Sequence, residues 1–196
     1  AYYPWQEGGD IPAEFSVKAD QSGDNYTASD LIVAVKAGVK PTLSSTQMTF
    51  KHKMSRIVID VTNESGFDIT NIVIKGAVGT GVLDPATGNF TAKADAEASD
   101  LIANTATANK VYYALLVPQN GVKLMVTVTT ADGKKRTQTL GTADFKSGEN
   151  RRMECNVQPA DIEVKFSGPI TGWVDGDDLL PDGEGEVETP TVEWGG

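Results

Sequence analysis

The side chains that could do chemistry are few. The chain has one histidine, His52, and one cysteine, Cys155, in 196 residues. His52 alternates with Phe50 and Met54, so it reads as a packed, hydrogen-bonded histidine; a catalytic or metal role would need partners. Cys155 lies between apolar Met153 and Val157, which predicts an inert buried thiol. One histidine and one cysteine make neither a Cys/His dyad nor a zinc site, and a single cysteine forms no intrachain disulfide. Gly76-Ala77-Val78-Gly79-Thr80-Gly81 is glycine-rich, but no Lys-Ser/Thr follows and no helix is predicted, so a phosphate loop is not supported. Asp175-Gly176-Asp177-Asp178 is rich in oxygen ligands without EF-hand spacing; it reads as solvated linker, with weak calcium binding as the lesser alternative. Carboxylates are too numerous to single out a glycosidase pair. Without a nucleophile–base pair or a ligand set, neither an enzyme nor a cofactor is expected.

Charge narrows the partners. The net charge is −10 and the pI about 4.5. Nucleic acid requires a basic footprint, so it is excluded as a partner, and an anionic membrane surface is disfavoured. No apolar run approaches the ~18 residues of a membrane-spanning helix. No signal peptide is visible. The chain opens on Ala1-Tyr2-Tyr3-Pro4-Trp5, which reads as a processed or truncated product whose targeting information has been removed.

The strongest strand signal, and the element expected to hold the rest, runs from Met48 to Val61. Met48, Phe50, His52 and Met54 alternate with Thr49, Lys51 and Lys53, the period of a half-buried strand. The apolar set then shifts to Ile57, Ile59 and Val61. That slip predicts a β-bulge near Ser55-Arg56; the alternative is that Ile57-Val58-Ile59 is covered on both faces. Phe50, His52, Met54, Ile57 and Ile59 are expected in the core or at a domain junction.

Other segments should pair with this strand. Ser29 to Val35 is short and β-branched and reads as a strand, and Phe67 to Lys75 as another. Lys110 to Val117 is a second strong strand, stopped by Pro118. Val122, Leu124, Val126 and Val128 alternate with polar residues, and Asp132-Gly133 turns the chain into Lys135 to Leu140 as a hairpin. Met153, Cys155 and Val157 alternate, and so do Ile162, Val164 and Phe166. Ala19 to Tyr26 and Ala92 to Asn109 are read mostly as loop. Short strands at this spacing, without an amphipathic helix, predict an all-β sandwich. Residues 1–63 are expected to form an N-terminal β-domain, 64–174 a C-terminal β-sandwich, and 175–196 an acidic linker with a terminal strand.

The linker from Asp175 to Glu186 is Gly-rich and self-repelling. Beyond it Val187 to Trp194 has strand composition, with Pro190, Val192 and Trp194 on one face. A strand holding Pro190 belongs at a sheet edge. An apolar strand on a flexible tether is a candidate to insert elsewhere, and Val187, Pro190, Val192 and Trp194 are the candidate partner-binding residues.

In order along the chain, Tyr2-Tyr3-Pro4-Trp5, Ser29-Asp30-Leu31-Ile32, Phe50-Lys51-His52-Lys53-Met54-Ser55-Arg56-Ile57, Leu116-Val117-Pro118-Gln119, Phe145-Lys146-Ser147-Gly148-Glu149 and Ile170-Thr171-Gly172-Trp173 resemble successive signatures of the fimbrillin-like (Mfa-like) proteins of Bacteroidia. The resemblance covers roughly Ala1 to Trp173. It implies two transthyretin-like β-sandwich domains and a subunit of a type V pilus, at its stalk, tip or anchor. It also implies a lipoprotein precursor, removal of an N-terminal strand by an arginine-specific protease in polymerising members, and filling of the groove by a neighbour's C-terminal strand. The family's N-terminal portion, with its lipobox cysteine, is not seen before Tyr2, and Cys155 is no substitute. Either the N-terminal domain is partial here or Ala1 is a processing site. Any membrane attachment would run through an N-terminal lipid anchor outside this sequence.

Two functions are expected from these readings. The first is a structural pilin at the extracellular outer-membrane surface. It would assemble with other pilin subunits, as a homo- or heteropolymer, by donor-strand complementation and support adhesion. The alternative is a monomeric surface β-sandwich that binds host protein or glycan through exposed aromatics such as Tyr2, Tyr3, Trp5 and Trp173.

Overall fold

A computed structural model of the chain describes residues 1–5, 11–39 and 45–173. The first elements are short: β1 (Tyr2–Tyr3), β2 (Glu14–Ser16), a single helical turn α1 (Asp24–Ala28), β3 (Ile32–Val33) and β4 (Lys51–His52). Then come β5 (Ser55–Asn63), β6 (Ile69–Val78), β7 (Thr80–Leu83), β8 (Phe90–Ala92), β9 (Ala98–Ile102) and β10 (Asn104–Thr107). The last five are β11 (Val111–Leu116), β12 (Gln119–Thr130), β13 (Lys135–Phe145), β14 (Glu149–Val157) and β15 (Ile162–Gly172).

Two large sheets make the sandwich. One has the order β10-β11-β5-β14-β15 and the other β13-β12-β6-β9. All pairings are antiparallel except β5 with β14, which run parallel from Arg56 opposite Asn150 to Asn63 opposite Val157. The predicted hairpin of β12 and β13 is present, with Val128 opposite Arg136 and a turn over Gly133, whose φ is 79°. Val122, Leu124, Val126 and Val128 are buried, as are Met153, Cys155 and Val157. Each alternating set turns one face of its strand into a shared core, which is what period-two patterning requires.

The stretch expected as one strand over Met48–Val61 is two. The break falls at Lys53-Met54: β4 pairs with β3 in a small sheet of order β1-β3-β4, whereas β5 lies between β11 and β14. The phase slip therefore marks a strand that changes sheets, not a bulge at Ser55-Arg56. Ser55 to Ile59 are all buried, so this stretch is covered on both faces. Met54, Ile57 and Ile59 are fully buried, but Phe50 is 39% exposed and lies outside the core. It lies just before β4. A domain cut after residue 63 would sever β5 from both neighbours, so the sheet groups Ser55–Asn63 with the C-terminal sandwich.

Three further readings change. Ala92 to Asn109 holds two edge strands, β9 and β10, instead of loop, and Ser29 to Val35 supplies only the two residues of β3. The polar segment before it forms α1. Edge strands need little apolar alternation because one side and one face meet water, which is why Asn104-Thr105-Ala106-Thr107 escaped the pattern. The glycine-rich segment spans the end of β6 and the start of β7. Gly76 has φ 96°, and a Cβ there would lie 2.6 Å from the Lys123 carbonyl oxygen. Gly81 lets the Phe90 ring rest on the backbone, and that ring meets Phe15 edge-on with centroids 6.4 Å apart. A second small sheet, β2-β7-β8, frames that contact.

Candidate interaction surface and its junction

His52 ends β4 beside the sandwich. Its Nδ1 lies 2.8 Å from the Asp30 carboxylate, and its ring stacks on Trp173 with centroids 3.7 Å apart and planes 6° from parallel. The Arg56 guanidinium stands 4.8 Å from the Trp173 ring. Arg56 also donates from Nε to Asn150 Oδ1 at 2.8 Å. The Trp173 backbone N–H donates to Gly148 O at 2.6 Å. An indole stacked on an imidazole with a guanidinium beside it combines apolar area with cation–π attraction. The arrangement joins three parts of the chain: the α1–β4 region, the start of β5 and the end of β15. Among the described residues no group of three or more His, Cys, Asp or Glu could hold a metal ion.

Buried titratable groups behave as structural ones. Burial pushes the Cys155 thiol up to about 12, so the nucleophilic thiolate is suppressed. Burial likewise raises Tyr26, against the opposing field of Arg56.

Three glutamines close the seams of the fold. Gln21, fully buried, donates from Nε2 to Leu115 O at 2.8 Å and accepts from Leu115 N–H at 2.7 Å. Gln138 does the same to Val164 at 2.9 and 2.6 Å, and Gln119 to Val78 at 3.2 and 3.0 Å. A primary amide presents a donor and an acceptor side by side, so it replaces one residue of a missing strand. Gln21 also donates its backbone N–H to Ile102 O, tying β9 of one sheet to β11 of the other. Gln138 ties β13 to β15 on the opposite side of the sandwich.

Apolar exposure concentrates instead at the N-terminal end. Of nine exposed large apolar side chains among the described residues, six precede residue 51: Tyr3, Trp5, Ile11, Val35, Val39 and Phe50. Ile11, Val33, Val35, Met48, Leu83 and Pro85 line a cleft of about 180 Å³ there. Lys36 stands at its rim, and Lys51, opposite Val33, and Lys53 lie on the same small sheet or just after it. Burial, and then the neighbouring Lys51 charge, lower the Lys53 pKa.

The predicted site residues thus separate. His52 joins the junction, Met54, Ile57 and Ile59 pack beneath it, and Phe50 stays at the surface. Of the aromatics expected to be exposed, Trp173 is held in the stack, Tyr2 is half-buried, and Tyr3 and Trp5 remain open. Val187, Pro190, Val192 and Trp194 lie outside the described residues. Sequence reasoning missed Asp30 and Arg56 as partners of the junction and all three glutamines. Only Asp30 and Arg56 had a signal, their proximity to His52 in the motifs.

The described chain is thus an all-β sandwich with small appended sheets, an aromatic junction at His52 and Trp173, and exposed apolar side chains concentrated before residue 51. The fimbrillin-like family matches residues 1–173, and the chain belongs to that family. Among solved structures, a candidate cell adhesion protein of Bacteroides ovatus aligns with a TM-score of 0.71 at 22% identity, covering 88% of this chain and 66% of that one. A candidate cell adhesion protein of Bacteroides uniformis aligns with a TM-score of 0.68 at 16% identity, covering 88% and 71%. At these identities the likeness is one of fold, and the chain spans about two thirds of the length of the first. No functionally curated protein matches the chain.

Proposed function

We propose that the chain is a structural subunit of a cell-surface pilus, and that Val187–Trp194 is its docking strand for a neighbouring subunit. Membership of the fimbrillin-like family over residues 1–173 is the observation that carries this reading. The distribution of surface supports it. The sides of the sandwich are closed by Gln21 and Gln138, while exposed apolar side chains collect before residue 51, where an added strand would find side-chain contacts. Burying Val192 and Trp194 in a neighbour would contribute on the order of 2–5 kcal/mol from apolar area. The subunit's place would be the outer-membrane surface of the cell, in contact with other pilins. A monomeric adhesin is the competing reading, and its support is narrower: two open aromatics, Tyr3 and Trp5.

Deleting residues 187–196 tests the proposal. The truncated chain should keep its β-type circular dichroism and lose filament or oligomer formation by light scattering and electron microscopy. Polymers that form as in the full chain would sink the docking-strand role.

A further inference from the structure

We propose that Phe67 of one subunit seats in the N-terminal apolar cleft of a second copy of this chain, so that subunits meet pole to pole. The inference rests on the pilus-subunit reading and adds to it a side-chain contact that does not involve the terminal strand.

The two patches lie at opposite ends of β5. The cleft adjoins β3 and β4, and β4 ends at His52, just before β5 begins at Ser55. The β5–β6 turn that carries Phe67 follows Asn63, where β5 ends. Nine residues of strand separate the ends, roughly 26 Å at ~3.3 Å per residue. A contact between two different patches is heterologous, and its repetition gives a filament or a ring instead of a closed dimer.

Phe67 is built as a knob. It is 47% exposed, and among the described residues it is the one exposed large apolar side chain in the turns at that end. The turn beneath it is fixed. Asn63 Nδ2 and Ser65 Oγ donate to the Phe67 carbonyl oxygen at 2.8 and 3.0 Å, and Asn109 Nδ2 donates to Asp68 Oδ1 at 2.9 Å. Gly66 supplies a φ of 80°. A side chain presented on an ordered turn loses little entropy on docking, and aromatic anchors in pockets dominate interface energies. The cleft's volume of about 180 Å³ is comparable to the roughly 150 Å³ of an apolar cavity that admits one benzene ring. Docking would also cover Ile11 and Val35, which flank the cleft at 43% and 48% exposure. Tyr3, Trp5 and Phe50 do not line the cleft and stay available to the docking strand.

Charge selects the unlike end. The turns around Phe67 hold Glu64, Asp68, Asp132 and Asp161 against Lys110 and Lys134, and Lys134 is paired with Asp132. Glu64 and Asp68 have no cationic partner among the described residues. The cleft end carries Lys36, Lys51 and Lys53, none of which has a carboxylate partner among the described residues. Lys36 lines the cleft, Lys51 lies opposite Val33, and Lys53 Nζ lies 3.7 Å from the Cβ position of Gly88, beside Val33 and Val35. The rim carboxylate Asp84 accepts from Thr87 Oγ1 at 2.7 Å and from Ala86 N–H at 2.9 Å. Two cleft ends would set lysines against lysines, and two Phe67 ends carboxylates against carboxylates. The mixed contact pairs opposite charges.

Sedimentation of the full chain over a concentration series tests the contact. Phe67→Ala should weaken self-association by about tenfold or more. Ile170→Ala, which removes an exposed apolar side chain outside both patches, should leave it unchanged. Asp68→Lys and Lys51→Glu should each weaken it severalfold, and an equimolar mixture of the two should recover. In the mixture each altered end faces the complementary alteration, and each unaltered end an unaltered one. The charge pair decides the matter by itself if Phe67→Ala does not fold by circular dichroism. Wild-type association of Phe67→Ala, or a mixture no stronger than its components, would overturn the contact and leave the pilus reading standing. A full chain that stays monomeric at millimolar concentration would overturn both.

Discussion

His52, the one histidine of the chain, is built into a packed junction. Asp30 fixes its ring through Nδ1, and the ring gives a flat surface to Trp173, whose ring also lies 4.8 Å from the Arg56 guanidinium. Cys155 is a buried free thiol packed in the core. Burial disfavours the thiolate and pushes its pKa up from the ordinary thiol range to about 12. Below pH 9 both folded and unfolded thiols keep their proton, so Cys155 adds no pH dependence. Between 9 and 12 the unfolded chain releases the proton and the folded one does not, so stability falls as pH rises. The buried phenols Tyr26, Tyr112 and Tyr113 shift in the same direction and add to the fall at higher pH. Two measurements check this. Native protein at pH 8 should leave Cys155 unmodified by iodoacetamide until denaturant is added. The denaturation midpoint should drop between pH 9 and 11, and less so in Cys155→Ala. Rapid native alkylation would show that the thiol is not where the packing puts it.

At the scale of elements, the long alternating strands were legible because each turns a whole face into the core: Val122 to Val128, Met153 to Val157 and Ile162 to Val164 behave as their pattern says. The Met48–Val61 pattern was legible as β but not as two strands, since a phase slip looks the same whether the chain bulges or crosses to another sheet. β9 and β10 were invisible because edge strands can be polar. The glutamine sutures were invisible for a different reason. A side-chain amide bonded to a backbone 94 residues away, as in Gln21 to Leu115, leaves no trace in local periodicity. Gln138 offers the sharpest test of that suture. Val164 is buried, and its N–H and C=O both bond to the Gln138 amide. Gln138→Ala leaves both unsatisfied and should cost about 1–3 kcal/mol in denaturant unfolding. Its β13–β15 seam should also show faster amide exchange at Val164. A loss below about 0.5 kcal/mol with unchanged exchange would mean that water replaces the amide without penalty.

For the whole molecule, the parallel pairing of β5 with β14 sets what can fold alone. β5 lies in the middle of its sheet, with β11 on one edge and β14 on the other, and it contributes Ile57 and Ile59 at zero exposure. A fragment of residues 64–174 therefore lacks the strand that joins the two halves of a sheet. It exposes the inner edges of β11 and β14 and leaves a channel where the two isoleucines were. Each would cost about 2–5 kcal/mol even as a truncation to Ala, so their joint loss approaches the 5–15 kcal/mol that holds a whole domain together. A fragment of residues 54–173 keeps both large sheets. It gives up the buried Gln21 amide at Leu115 and the Phe15, Val17 and Leu31 side chains that join the same core, so it should be weaker than the full chain but still cooperative. The expected outcome is a sigmoidal thermal transition for 54–173 at a lowered midpoint, and none for 64–174. Ile59→Ala in the full chain, costing about 2–5 kcal/mol without changing the denaturant slope, would tie the effect to β5 itself. A cooperative transition in 64–174 matching that of 54–173 would place the boundary after residue 63 and remove β5 from the centre of the sheet's energetics.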